Sequence, residues 1–206
     1  MQSSLPKVLH PIAGQSLLAH VLRGGYASVV WGRSAAHKGG VERVTDVLRQ
    51  VRRWGSDESG KGPVDLGYRL GHIRDESRTF RALVYNKGAA VLHMLRRMVG
   101  DDAFFRGLRR FYRESRFRKV GTDDFRAAME KETGQPLERF FQQWIYGSSI
   151  PRVRASYRLE GPDVVLRIEQ IGEVFDLPVT GTMQYADRKS VDVLVPVTTQ
   201  VAEHRV

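Results

Sequence analysis

Apolar residues recur at Val44, Val47, Leu48, Val51 and Trp54, a spacing of three and four that predicts a helix over residues 41–54 with arginines elsewhere on the wheel. A polar, glycine-rich loop over 56–63 follows, then a stretch over 64–79 of irregular period containing Leu66, Tyr68 and Leu70. A second helix is predicted over 80–99 with Tyr85, Gly88, Ala89, Leu92, Leu95 and Val99 on one face. Glycine inside a helix costs about 1 kcal/mol relative to alanine, so Gly88 points to close approach of a backbone or ligand beside Tyr85. Asp101 or Asp102 is expected to cap a third helix reaching 116, with Phe104, Phe105, Leu108, Phe111 and Tyr112 inward and Arg106, Arg109, Arg110 and Arg113 outward. Thr122 reads as the N-cap of a fourth, Asp123 and Asp124 complement its dipole, and Gly134 stops it. Pro136 suits the first turn of a last helix facing inward with Leu137, Phe140, Phe141 and Trp144.

After Pro151 the period changes to two. Val153, Ala155, Tyr157 and Leu159 alternate, and the pattern continues over 164–168, 175–185 and 191–197 with turns at Gly161-Pro162 and 187–189. About four antiparallel strands are expected, and the fold class is α+β: a helical subdomain followed by a small β-sheet or half-sandwich.

The 206 residues are enough to bury a core, and 41% hydrophobic with 27% charged residues is ordinary for a globular protein. With no cysteine, disulfides, thiolate metal sites and cysteine nucleophiles are excluded. No apolar stretch approaches the roughly 20 residues that span a bilayer, and no signal peptide is evident, so no membrane partner is expected and the visible chain points to the cytoplasm, with an exported parent left open. The net charge of +10 suits an anionic partner, but acids are interleaved with the arginines, so nucleic acid is a minor reading.

Four segments carry a family resemblance: Val84-Tyr85-Asn86-Lys87-Gly88-Ala89-Ala90-Val91-Leu92-His93-Met94-Leu95, then Gly100-Asp101-Asp102-Ala103-Phe104-Phe105, then Thr122-Asp123-Asp124-Phe125, then Phe140-Phe141-Gln142-Gln143-Trp144. In this order they resemble the C-terminal part of the catalytic domain of aminopeptidase N-like zinc peptidases, the gluzincins, with the following β domain; the resemblance spans about residues 45–200. It implies a metallopeptidase that hydrolyses peptides from the N-terminus, with zinc as the parent family's cofactor and a peptide as its substrate. It also implies that Tyr85 is catalytic, its hydroxyl donating to the oxyanion formed when zinc-bound water attacks the carbonyl.

The metal half of that chemistry needs two histidines one helical turn apart with a glutamate beside the first. His10, His20, His37, His72, His93 and His204 include no such pair, so no metal ligand is assigned and this chain alone is expected to bind no zinc and to be inactive. His72 and Glu76 have i,i+4 spacing, but two such ligands make a weak, open site. The Gly-x-Met-Glu-Asn substrate strand is also missing, since Gly181-Thr182-Met183 continues as Gln184-Tyr185. No Gly-x-Ser-x-Gly elbow is present.

Residues 1–22, with Ser4-Leu5-Pro6-Lys7-Val8-Leu9-His10 and Leu18-Ala19-His20-Val21, are similar instead to the start of bacterial N-acetylglucosamine-phosphate uridyltransferases. Lys7 lacks the glycine-rich cradle that holds phosphate in that family, so no cofactor-binding residue follows. The expected organisation is a fragment over 1–22, a glycine-rich junction over 23–44, the helical subdomain over 45–150 and the β domain over 151–206. Two noncatalytic readings accompany the enzymatic one: a protein-interaction module docking a partner on the cleft face beside Tyr85 and Gly88, and an anion or nucleic-acid binder using Arg106, Arg109, Arg110 and Arg113.

Overall fold

A computed structural model describes residues 40–65, 77–186 and 189–206. The segment over 1–22 with Lys7, most of the junction, the His72 and Glu76 pair and part of the turn at 187–189 lie outside the described residues. The chain divides into two compact units, with Ser149 the last residue of the first and Ile150 the first of the second.

In the first unit, α1 (Gly40–Asp57) begins within the sequence assigned to the junction, and a 3-10 turn over Ser59–Lys61 follows. The helix expected over 80–99 is built from three pieces: α2 (Ser77–Phe80), a π-helical stretch (Arg81–Lys87) and α3 (Gly88–Val99). The wide π turn changes the face on which residues fall, so Ala82, Leu83 and Val84 are buried in succession, outside the predicted stripe. Helix α4 (Asp101–Glu114) buries Phe104 and Phe111, α5 (Thr122–Thr133) buries Phe125 and Met129, and α6 (Glu138–Phe141) runs into a second π turn (Gln142–Tyr146) holding Trp144. Edge contacts link Phe111 to Phe125 at 5.4 Å, and Phe125, Phe141, Phe140 and Trp144 continue the aromatic chain at 6.0–6.4 Å.

Two expected caps are replaced. Gly100 precedes α4 without a side-chain cap, because Asp101 turns back to receive two hydrogen bonds from the buried Arg96 at 2.7 and 2.5 Å. Gly121, not Thr122, is the N-cap of α5: its N–H donates to the Asp124 carboxylate at 2.8 Å, while the Thr122 hydroxyl donates to Asp65 at 3.0 Å. Gly134, at φ 67°, ends α5 as its position in the sequence suggests.

The second unit contains five described strands, one more than the alternation predicts. β1 (Arg152–Glu160), β2 (Asp163–Ile171) and β5 (Val201–Arg205) form a sheet in the order β1-β2-β5, and β3 (Leu177–Met183) pairs with β4 (Val191–Val197) in a second. All pairs are antiparallel, and Gly161-Pro162 makes the β1–β2 turn between Glu160 and Asp163. The core joins Ile168 of β2 to Val193, Val195 and Val197 of β4. Phe175 is not in a strand; its buried backbone is held by the Gln170 side chain, which accepts from Phe175 N–H at 3.0 Å and donates to the carbonyls of Phe175 at 2.9 Å and Thr199 at 3.2 Å.

Candidate functional site

Tyr85 stands on the π-helical stretch, half-buried, its ring edge-on to Phe80 at 5.8 Å with planes inclined at 70°. Its neighbours Leu83 and Val84 reach the core, so the segment that carries the phenol is anchored on the residues just before it. Single π turns recur at functional sites because the extra residue re-aims a side chain while the helix continues.

Lys87 closes this stretch and is 6% exposed. Its ammonium donates to the Gly147 carbonyl at 3.2 Å, joining the π turn of Tyr85 to the end of the π turn after α6. Burial lowers its pKa from 10.5 to about 8. Two glycines make the arrangement possible. At Gly55 on α1 a Cβ would lie 3.2–3.3 Å from the backbone and Cβ of Lys87, so α1 crosses the π segment closely because residue 55 has no side chain. At Gly147 a Cβ would lie 2.5 Å from the Gln143 carbonyl oxygen.

Gly88 is buried. With Val91, Leu92, Phe125, Phe140 and Phe141 it lines an apolar cavity of about 50 Å³, so it serves helix packing and is not part of an exposed cleft face with Tyr85. An open groove of about 350 Å³ lies between α1 and the π stretch and includes Trp54, Arg81 and Asn86. Nearby, the Tyr146 hydroxyl donates to Asp123 at 3.3 Å, and burial, reinforced by the charges of Asp123 and Asp65, pushes its pKa up to about 12.

The arginine cluster of α4 is divided. Arg110 donates to Glu132 of α5 at 2.6 Å and to Glu114 at 2.9 Å, and Arg106 donates to Glu132 at 3.2 Å. These carboxylates neutralise two of the four guanidiniums that an anion site would need and use them to join α4 to α5; Arg109 and Arg113 stay exposed. Among the described residues no three His, Asp, Glu or Cys side chains converge as a metal site requires. Among the described residues no helix is long and apolar enough to cross a membrane.

Residues 21–144 match the peptidase family M1 domain. The chain belongs to this family. It is 27% identical over 112 residues to aminopeptidase M1-A of Oryza sativa subsp. japonica, a match covering 54% of this chain and 12% of that protein. It is 32% identical over 74 residues to aminopeptidase N of Lactococcus lactis subsp. lactis, covering 36% and 9% respectively. The crystal structure of Legionella pneumophila aminopeptidase A in complex with aspartic acid shares the fold at a TM-score of 0.53 and 20% identity, over 62% of this chain and 16% of that one. The chain thus spans a small part of the length of these relatives. Tyr85, Lys87 and Gly147 all fall within the first unit, and Tyr85 and Lys87 lie inside the family match. Lys87 was the residue whose role the sequence least declared, although a lone cation amid Ala82, Leu83, Val84, Ala89 and Ala90 is a signal that a buried partner awaits it.

Proposed function

We propose that this chain is the C-terminal part of an aminopeptidase catalytic domain, over about 45–150, with its following β domain over 151–206, and that it is inactive alone. Tyr85 is its catalytic contribution, a hydroxyl that donates to the oxyanion of the hydrolysed peptide bond when zinc and its activated water are supplied by other residues. The observation that carries this reading is the family match through a Val-Tyr-x-Lys-Gly segment whose tyrosine is half-exposed on an anchored π turn. A phenol fixed in this way is preorganised, and one such donor contributes about 10²–10³ in rate. It cannot replace the Lewis acid, and the sequence contains no His-Glu-x-x-His.

Purified chain incubated with zinc and an alanyl chromogenic substrate is expected to give no turnover above a zinc blank; turnover that disappears in Tyr85→Phe would overturn the assignment of inactivity. The role of Tyr85 has its own test. Residues 84–144 of this chain, placed in the matching segment of the Lactococcus lactis aminopeptidase N, should support hydrolysis that falls about 10²–10³-fold on Tyr85→Phe. An active chimera indifferent to that substitution would remove Tyr85 from the chemistry.

A further inference from the structure

β1 (Arg152–Glu160) is an edge strand nine residues long: β2 occupies one side, and among the described residues no strand pairs with the other. Eight of its nine residues are exposed, and Tyr157 and Leu159 are each 71% exposed. A long edge of this kind presents a row of backbone donors and acceptors to any strand that can lie beside it. Val153, Ala155, Tyr157 and Leu159 share one face of β1, and Arg152, Arg154, Ser156, Arg158 and Glu160 share the other.

This sequence is self-complementary in one register. Two copies of β1 paired antiparallel keep their apolar faces continuous only when the two-fold axis falls on a residue, because a shift of one residue turns every side chain over. An axis on Ser156 opposes Arg154 to Arg158 twice, one on Ala155 opposes Arg152 to Arg158 twice, and axes on Arg154 or Arg158 set that arginine against itself. An axis on Tyr157 opposes Arg154 to Glu160 twice, Ala155 to Leu159, Ser156 to Arg158, and Tyr157 to its own copy. Among axes that pair at least five strand residues, it alone opposes no like charges. Arg154 can reach this partner, since its side chain is 68% exposed and its contact with Glu169 is 3.7 Å long; Glu160 already accepts from Arg158 at 2.7 Å and pairs with Arg205, so Arg154 of the second copy joins an existing cluster around that carboxylate.

We propose that two copies of this chain associate through β1, antiparallel about a two-fold axis at Tyr157, so that their three-stranded sheets join into one of six strands. The area of a single edge pairing is at the low end for specific interfaces, so the dimer is weak, with a Kd of about 10–100 µM. Sedimentation velocity of the unsubstituted chain from about 5 to 500 µM should show a monomer shifting to a dimer. Glu160→Lys places like charges opposite Arg154 and should weaken association at least tenfold. The pair Arg154→Glu with Glu160→Lys reverses both charges and should restore the Kd to within about threefold; because it retains Glu160→Lys, recovery excludes damage to the fold as the cause.

Since the chain has no cysteine, Tyr157→Cys reports the axis directly: mild oxidation should cross-link it to a dimer faster than the exposed control Thr180→Cys on β3. A monomer throughout the range, a double variant as weak as the single one, or cross-linking at 157 no faster than at 180 would each overturn the proposal.

Discussion

Replacing Lys87 by methionine should change how stability depends on pH. The folded state holds the Lys87 proton less tightly than the unfolded chain does, with a pKa near 8 against 10.5. Between those values the unfolded chain binds more protons, so this group's contribution to stability rises with pH; below pH 8 the burial cost is fully present, and by about pH 10.5 it is gone. A shift of this size corresponds to about 3 kcal/mol. The amine is not wholly sealed from solvent although the residue is 6% exposed, so screening reduces the figure to about 1–2 kcal/mol.

Methionine keeps the length of the side chain and removes the charge, but it also removes the hydrogen bond to Gly147, worth about 1 kcal/mol. At pH 7 these effects oppose each other and the variant should lie within about 1 kcal/mol of the parent. The diagnostic quantity is the difference between the two proteins as pH rises, in which tyrosines and other lysines cancel. Urea unfolding at pH 7, 8, 9 and 10 should show the parent gaining about 1–2 kcal/mol on Lys87→Met. Parallel stability profiles would mean that Lys87 titrates alike in the folded and unfolded chains, and would contradict a pKa lowered by burial.

Gly147→Ala should destabilise the first unit by about 1–3 kcal/mol, since its Cβ would lie 2.5 Å from the Gln143 carbonyl oxygen and the backbone must shift; thermal unfolding followed by circular dichroism checks this. Gln170→Leu should cost about 2–4 kcal/mol by leaving the buried N–H and carbonyl of Phe175 without their side-chain partner, and chemical denaturation should show the loss in the second unit.

The positions of the helices and the change to alternating strands were legible because each follows from a period. Gly134 and the Gly161-Pro162 turn act through local backbone geometry, and they stand where the sequence puts them. The π turns were not legible, because an inserted residue leaves the apolar pattern looking like a continuous α-helix while changing which residues face inward. Three successive apolar residues, Ala82, Leu83 and Val84, are compatible with either reading until the neighbouring helix is known. The same limit applies to Asp101 and to Arg110, whose partners, Arg96 and Glu132, are set by the helix junction and by the packing of α4 on α5. β5 was missed because its residues, Val201 to Arg205, show little alternation; it becomes a strand by pairing with the edge of β2.

Lys87 and Arg96 are both buried cations of the helical unit, but Arg96 meets the carboxylate of Asp101 whereas Lys87 meets the Gly147 carbonyl. A buried cation next to Leu83 and Val84 weakens the core at neutral pH, where methionine or leucine would fill the same space without the cost of desolvation. What the lysine adds is reach: its side chain extends from the end of one π turn to the carbonyl that follows the other, while Gly55 lets α1 close over it. A hydrophobic residue would pack there without fixing the distance between the two turns. A tie of this kind holds the backbone two residues after Tyr85, and in the oxyanion role proposed for that hydroxyl a small displacement would reduce its effect on a transition state. The cost in stability and the placement of the phenol are then two consequences of one side chain, and the pH profile of Lys87→Met in this chain and the effect of the same substitution on kcat in the chimera measure them separately.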